Sequence, residues 1–306
     1  MHNRTLNSIV FIIILITASF LIFGCGNTSE NHTDSRRTTL HEFPVPTAPG
    51  QVSYSGGGAF IDASNSSDGY VMVKYTGKAD KAKLQITIPD GTVYSSNLIG
   101  DDFTSFPLSG GSGGYKLDVL SHAYDNMYAL AFSQRITVQL DDEFKPFLYP
   151  NQYVWYTPES ETVQYGVKIS DKSSNDLDYV EQVYDYVILN ISYDEEAAAN
   201  ISSDYIPDVD RTFESGKGIC FDYASLMAAL LRSQGIPTKL VVGYSGTAYH
   251  AWISVYLDEV GWVDKIIEFD GKNWSLMDPT LAASNNSSSV QEYIGDGSNY
   301  IEKFSY

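Results

Sequence analysis

The residue best suited to covalent chemistry in this 306-residue chain is Cys220. It lies in GKGICFDYASLMAALLRSQGIP (216–237), where apolar residues recur at helical spacing and Gly235 and Pro237 end the predicted helix. A helix start offers unpaired N–H groups and the positive end of the helix dipole, and both favour a reactive thiolate. The alternative is an inert buried cysteine that packs as a small hydrophobic residue.

A thiol nucleophile needs a base, and His250 is the only histidine in the C-terminal half of the sequence. It begins the predicted strand HAWISVYL (250–257), and we expect Trp252, on the same strand face, near the cleft. The base needs a carboxylate to orient it. Asp278, between NWSLM and Pro, is one candidate, and Asp264, closer in sequence to the histidine, is the other. A strand-end histidine bound to a carbonyl and an Asx-turn aspartate are the structural alternatives.

The elements that must position these residues are, in the order of the chain, helices followed by strands. Residues 176–191 show helical periodicity after a capping residue at Asn175 or Asp176, and residues 193–218 form a long polar stretch that we interpret as a functional loop. Strands at 238–244 and 250–257 and a hairpin about Asp270-Gly271 follow. This order predicts an α+β fold.

In the preceding region, apolar residues alternate with polar ones, as in β-strands, and do not recur at helical spacing. Residues 51–143 contain short alternating segments separated by Gly, Pro and Asp turns, among them GYVMVKY, AKLQITI, YKLDVL and RITVQL. This pattern predicts an all-β, immunoglobulin-like sandwich without a catalytic constellation. Residues 144–160 are aromatic and contain prolines, which favours a connecting segment that packs against both sides.

Three ordered motifs carry a family resemblance. The segments GKGICFDYASLMAALLRSQGIPTKLVVGY, HAWISVY and WSLMDPT resemble the transglutaminase-like (transglutaminase core) superfamily, whose members are related to papain-like cysteine proteases. The resemblance covers about residues 160–306 and implies a papain-like core of a helix and an antiparallel sheet. It implies a catalytic triad of Cys220, His250 and Asp278. The spacing of 28 positions between His250 and Asp278 is a departure from the family, which we interpret as an extended hairpin.

The mechanism that the resemblance implies is acyl transfer at an amide bond through a thioester. The Cys220 N–H is the expected first oxyanion donor and Tyr193 a candidate for the second. Hydrolysis and transfer to an amine both stay open, as does a catalytically silent domain that serves in adhesion or assembly. The sequence contains no CxxC or HExxH motif, and we expect neither a metal nor a cofactor.

The N-terminus predicts export. An apolar run ends in LIFGCGN, which resembles a bacterial lipobox, so we expect residues 1–24 to be a signal peptide and Cys25 to carry lipid. An uncleaved membrane anchor is the alternative. Residues 25–50 are interpreted as a flexible tether, residues 51–143 as the sandwich and residues 144–306 as the transglutaminase-like domain with its connecting segment.

Composition limits the possible partners. The formal net charge is −19, which argues against nucleic-acid binding. We therefore expect an extracytoplasmic protein held at the membrane by its lipid. Its expected substrate is an extracellular peptide or protein, with cell-wall peptide as one possibility.

Overall fold

The structure is a computed structural model, and residues 35–306 group as one compact unit. The residues it describes are 37–202, 204–258, 260–264, two short strands at 268–269 and 274–275, and 300–306. Among the helices of these residues, none combines the length and apolar character needed to cross a bilayer.

The first half of the unit is built from strands, as predicted. They are β1 (Ser53–Gly56), β2 (Ala59–Asp62), β3 (Tyr70–Tyr75), β4 (Ala82–Thr87), β5 (Val93–Leu98), β6 (Thr104–Pro107), β7 (Gly113–Tyr124) and β8 (Met127–Val138). They form two antiparallel four-stranded sheets, ordered β1-β2-β3-β6 and β5-β4-β7-β8. Alternate side chains of β4 are buried, and both sheets contribute to one hydrophobic core. The immunoglobulin-like arrangement stays a prediction.

The second half combines helices with an antiparallel sheet, which confirms the predicted α+β class. Its helices are α1 (Glu161–Ser170), α2 (Asp176–Asn190), α3 (Glu195–Ala199), α4 (Val209–Ser215) and α5 (Cys220–Arg232). Its strands are β9 (Ser192–Tyr193), β10 (Lys217–Gly218), β11 (Thr238–Ser245), β12 (Ala248–Leu257), β13 (Gly261–Asp264), β14 (Glu268–Phe269), β15 (Trp274–Ser275) and β16 (Tyr300–Ser305). The main sheet has the order β13-β12-β11-β16, and α5 packs on β11 and β12.

The polar stretch at 193–218 is not a simple loop. It contains α3 and α4, which begin at Asp194 and Asp208, and the side chain of each aspartate accepts a hydrogen bond from the first turn of its helix. The stretch closes with β10, which runs parallel to β9. These elements bury few apolar side chains, and for that reason hydrophobic periodicity did not predict them.

The buried Arg232 joins three parts of the second half. Its guanidinium donates to the main-chain oxygens of Thr238 (2.8 Å), Tyr149 (3.1 Å) and Tyr306 (2.5 Å). Burial lowers the pKa of Arg232 to about 10, so the side chain stays charged at neutral pH. The contacts attach the connecting segment and the last described strand to the end of α5.

Residues 37–50 lie within the predicted tether and contain no helix or strand, yet they contact the folded unit. The Arg37 guanidinium lies 4.6 Å from the centre of the Tyr179 ring and donates to the Asp176 carboxylate and to the Gln234 carbonyl. The N–H of Leu40 donates to Gln234 Oε1 at 3.0 Å. This part of the chain is therefore fixed beside the C-terminal end of α5.

Candidate active site

Cys220 is the first residue of α5, and a tight chain path leads to it. α4 ends at Gly216 in the left-handed conformation, with φ of 62°. The chain then runs through β10 to Ile219, whose extended backbone (φ −97°, ψ 178°) places it just before the helix. The Cys220 thiol is free and partly exposed, whereas the alternative interpretation expects a buried cysteine.

Ile219 has no side chain that can accept a hydrogen bond, and no side chain caps the start of α5 within the described part of the chain. The first N–H groups of a helix have no partner inside the helix. At this helix they belong to Cys220 and Phe221, and both residues line a cleft. The helix start therefore offers open hydrogen-bond donors beside the thiol.

A buried carboxylate supports this helix start from behind. Asp222 Oδ2 accepts the Ile219 N–H at 2.9 Å, and its Oδ1 accepts the Tyr205 hydroxyl at 2.6 Å. A Cβ atom at Gly218 would lie 2.6 Å from the Asp222 Cβ, so the position requires glycine. Burial raises the pKa of Asp222, whereas the hydrogen bonds from Tyr205 and Ile219 lower it. Burial, followed by the bond to Asp222, raises the pKa of Tyr205.

Sequence reasoning missed the Tyr205–Asp222 pair. An acidic residue at the third position of a helix is the usual partner of the N–H that precedes the helix, and this signal was available for Asp222. Tyr205 is separated from it by 17 residues and reaches it only through the fold.

His250 lies near the start of β12, with 9 % of its surface exposed, and faces Gly243 of β11 in the register. Its ring stacks beside Trp252, with centroids 6.2 Å apart and planes inclined by 26°. A Cβ atom at Gly243 would lie 2.0 Å from the Ile301 carbonyl oxygen and 2.9 Å from the Trp252 ring. The β11–β16 register shifts between Val242 and Gly243, and such a bulge changes the direction of neighbouring side chains.

Cys220 and His250 line the same cleft, which has a volume of about 540 Å³. Trp252 was expected near it but is buried beside His250 and is not among the residues that line it. Most of the lining is aromatic or apolar, with serines at two positions. The other lining residues are Ser95, Tyr153, Tyr193, Ala198, Ile201, Ser202, Tyr205, Ile219, Phe221, Val242, Tyr249, Ala251, Phe304 and Tyr306.

Burial keeps two tyrosines of the cleft neutral at neutral pH. Burial raises the pKa of Tyr153, and burial together with the neighbouring Tyr244 and Tyr153 raises that of Tyr249. Tyr193, the candidate second oxyanion donor, also lines the cleft. The Tyr205 hydroxyl donates a hydrogen bond to Asp222, so it does not donate to a substrate in this arrangement.

The structure separates one of the two orienting carboxylates from the histidine. Asp264 pairs with Ser254 in the β12–β13 register and accepts its hydroxyl at 2.5 Å. Ser254 is four residues from His250 along β12, which corresponds to about 13 Å. Asp278 lies outside the described residues, as does Cys25.

Comparison with known proteins finds a match in the second half. Residues 163–265 match the family model described as the transglutaminase-like superfamily. This part of the chain is similar to that superfamily, as the sequence motifs predict. The matched residues include Cys220 and His250 and end before Asp278.

Two curated relatives match part of the chain. The uncharacterised protein YebA of Bacillus subtilis (strain 168) is 32% identical over 117 residues, which are 32% of this chain and 16% of YebA. A protein-glutamine gamma-glutamyltransferase of Pseudomonas aeruginosa is 34% identical over 68 residues, 18% of this chain and 10% of that protein. The chain therefore spans less than a fifth of either relative. The periplasmic domain of TgpA from Pseudomonas aeruginosa aligns over 69% of this chain and 91% of that one, at 15% identity and a TM-score of 0.31.

Proposed function

We propose that this protein is a cysteine enzyme that transfers acyl groups at amide bonds. The observation that carries the proposal is the shared cleft: the thiol of Cys220, at an uncapped helix start, and His250 line one cavity of about 540 Å³. A nucleophile, a base and oxyanion donors are the groups that amide cleavage through a thioester requires.

In the proposed reaction, His250 removes the Cys220 proton and the sulfur attacks the amide carbonyl carbon. The carbonyl oxygen becomes an oxyanion and accepts hydrogen bonds from the open N–H groups at the start of α5. The carbon–nitrogen bond then breaks, the leaving amine or ammonia takes the proton from His250, and a thioester stays on Cys220. Water or a primary amine releases the acyl group by the same steps in reverse.

Asp278 is the proposed orienting group for His250. It supplies the aspartate of the Asp-Pro-Thr motif, and the competing Asp264 is engaged by Ser254 at the other end of β12. A carboxylate bound to imidazole fixes its tautomer and stabilises imidazolium.

We further propose that Cys25 carries the lipid and that the protein acts outside the cytoplasm. The lipobox-like LIFGCGN supports this placement. The acyl donor would be an extracellular peptide or protein, including cell-wall peptide. A glutamine side chain is the first donor to test, because one relative is named a protein-glutamine gamma-glutamyltransferase.

The rate of iodoacetamide labelling of Cys220 as a function of pH tests the nucleophile and its base. A thiol assisted by an imidazole is alkylated rapidly at pH 6–7, where an isolated thiol is mostly protonated. We expect His250→Ala to slow labelling at pH 6.5 at least about tenfold. His122→Ala is the matched control, because His122 lies in the strand region and is bound by Asp80 and the Asp125 carbonyl. Slow labelling that is indifferent to His250 would favour the silent adhesion or assembly module.

Mass spectrometry of Cys220 after incubation with a glutamine peptide tests the acyl intermediate. The expected adduct has the mass of the peptide minus ammonia, and hydroxylamine should remove it. The same spectra of the N-terminal peptide test the anchor: a chain that begins at Cys25 and carries diacylglycerol on that residue is expected. An unmodified Cys25 in membrane-bound protein would favour the uncleaved anchor.

A further inference from the structure

The strand region contributes directly to the cleft, although its sequence contains no catalytic constellation. Ser95 of β5 lines the cavity together with Cys220. β5 is an edge strand, since it pairs with β4 and with no other strand of the described residues. An edge strand presents backbone N–H and C=O groups to whatever lies beside it.

The direction of those groups follows from the pairing of β4 and β5. The Ile88 N–H donates to the Thr92 carbonyl at 3.0 Å, and in an antiparallel ladder every second residue makes such a bonded pair. Residues 92, 94, 96 and 98 therefore face β4. The N–H and C=O of residues 93, 95 and 97 point away from it, toward the open edge.

One of these edge groups already has a partner. The Asn97 carbonyl accepts the side-chain N–H of Gln152 at 2.6 Å, which agrees with the outward direction and closes the edge at that end. Ser95 comes two residues earlier on the same edge. Its backbone N–H and C=O have no partner among the residues that the structure describes.

The edge is held firmly against the second half. The Tyr94 ring packs at 5.1 Å from Phe304 and 5.4 Å from Tyr306, and its hydroxyl lies 3.3 Å from the Ser305 N–H. Phe304 and Tyr306 also line the cleft. The open edge at Ser95 is thus a fixed wall of the cavity that contains the candidate nucleophile.

A segment of acidic composition also contributes to the lining of the cleft. Ala198, Ile201, Ser202 and Tyr205 line the cleft and belong to the segment DEEAAANISSDYIPDVD (194–210). This segment contains six carboxylates and neither lysine nor arginine, and none of the six is among the residues that line the cleft. Its net charge acts on the cleft through the long-range field, which favours a cationic occupant.

We propose that the open edge of β5 at Ser95 binds the substrate, and that the substrate is an extended, basic peptide segment. The peptide adds as a strand beside β5, with its backbone paired to the N–H and C=O of Ser95, and its acyl-donor side chain reaches Cys220. Lysine or arginine next to the acyl donor faces the acidic segment. This inference rests on the proposed function of the cleft and names the substrate class that it takes.

Strand addition predicts a dependence on peptide length. Each residue of an extended peptide spans about 3.3 Å, so a blocked dipeptide donor can occupy the position beside Cys220 without pairing along β5. A longer peptide gains the backbone hydrogen bonds. A longer peptide should therefore bind more tightly because it gains backbone hydrogen bonds to β5, and not only because it gains side-chain contacts.

Binding is measured with the full chain carrying Cys220→Ser, so that no turnover is needed. The probe is a fluorescein-labelled nonapeptide with a central glutamine flanked by lysines, followed by anisotropy. Ser95→Pro removes the outward N–H while the ladder to β4 stays intact, because proline is tolerated at such an edge position. Thr137→Pro is the matched control. Thr137 is an exposed residue of β8, at the other edge of the same sheet, and it pairs with Gly114 of β7.

We expect Ser95→Pro to weaken nonapeptide binding at least about tenfold and Thr137→Pro to change it less than twofold. A peptide with glutamates in place of the lysines should bind at least about tenfold more weakly than the lysine peptide. Equal effects of both prolines, or equal binding of both peptides, would overturn the proposal.

A substrate-side measurement covers the case in which Ser95→Pro lowers the melting temperature. Replacing one amide of the nonapeptide by an ester removes one N–H, and a scan of positions should show a loss of at least about fivefold at one or two positions only. A scan without a sensitive position would also overturn the proposal. Binding is measured with the Cys220→Ser chain. A failure of the proposed acyl-transfer function would therefore leave the peptide-binding proposal intact. Conversely, acylation of Cys220 by a dipeptide with no edge dependence would remove only this inference.

Discussion

The structure describes five helices in the second half, and side chains accept N–H groups at the starts of four of them but not at the start of the fifth. α2, α3 and α4 each begin at an Asn or Asp whose side chain accepts an N–H from the first turn: Asn175 from Asp178, Asp194 from Ala197 and Asp208 from Arg211. α1 receives a carboxylate from another helix, because Asp210 accepts the Thr162 N–H at 3.1 Å. α5 begins at Ile219 with no such acceptor among the described residues.

The difference between capped and uncapped helix starts distinguishes helices that need a cap for stability from the one whose start is available for the reaction. A side-chain cap stabilises a helix by about 1 kcal/mol, which matters for the short or partly exposed α3 and α4. α5 is held by burial instead, because every residue from Asp222 to Arg232 is buried. It can leave its first N–H groups open, and Asp222 satisfies only the N–H of the residue before the helix. The open donors lie where an oxyanion would form beside Cys220.

The largest expected effect comes from removing the thiol at the open start. Cys220→Ser keeps the size of the side chain, so the melting temperature should change by less than about 2 °C, whereas kcat/KM should fall by at least about 10⁴-fold. Ammonia release from a glutamine peptide and thermal unfolding measure the two quantities. Retention of more than about 1% of the activity would show that Cys220 is not the nucleophile.

The second prediction gives α5 the cap that it lacks. In Ile219→Thr, the hydroxyl can accept an N–H of the first turn and so compete with the oxyanion. Loss of one oxyanion donor costs about 10²-fold in kcat, and we expect an effect of this size. Stability should change by less than about 1 kcal/mol, because the gained cap offsets the lost apolar surface.

Ile219→Val is the control for this change, since it removes a methylene without adding an acceptor. It should cost about 1 kcal/mol of stability and retain most of kcat. If Val and Thr lower kcat equally, packing at this position and not the open N–H groups supports the reaction.

The third prediction concerns the carboxylate behind the helix start. Asp222→Asn should destabilise the fold by about 1–2 kcal/mol at acidic pH, because the amide cannot accept both hydrogen bonds that the carboxyl group receives. Burial raises the folded-state pKa of Asp222 above 3.8, so the native state binds more protons than the unfolded state between the two pKa values. The stability of the parent relative to the variant should therefore fall as pH rises from 3.8 through the folded-state pKa, and then become constant.

Urea unfolding of both proteins between pH 3.5 and 7 measures this difference. A parent that gains stability relative to the variant over the same window would contradict a raised pKa. Tyr205→Phe removes one of the two hydrogen bonds that Asp222 accepts, and it should lower the free energy of unfolding by about 1 kcal/mol.

The contrast among helix starts also explains what the sequence could predict. α2 and α5 were recognised because apolar residues recur at helical spacing. Of the two predicted capping residues of α2, Asn175 is the cap and Asp176 is the first helical residue. α1 was missed, and α3 and α4 were taken for a loop. In α4 only Val209 and Thr212 are buried, so its signal was the cap at Asp208 and not periodicity.

The composition of the cleft was harder to predict than the reactive residues. Cys220 and His250 were identified by residue type and motif, and they share one cavity. Ser95 and Tyr205 enter that cavity through packing between distant segments, and neither has a local pattern that marks it. Trp252 was placed on the correct strand, but its ring is buried beside His250 and Tyr300 and does not line the cleft.

The smallest expected effect tests the other kind of helix start. Asn175→Ala removes the cap of α2, which stabilises the fold by about 1 kcal/mol, and should lower the melting temperature by about 2–4 °C. Asn175 lies far from the cleft residues in the sequence and lines no part of the cleft, so labelling of Cys220 and kcat should stay within twofold of the parent. Asn175→Asp, which retains an acceptor, should restore most of the stability. A large loss of activity in Asn175→Ala would mean that the cap of α2 also sets the geometry at the start of α5. Capped and uncapped helix starts would then not divide into those that stabilise the fold and the one that serves the reaction.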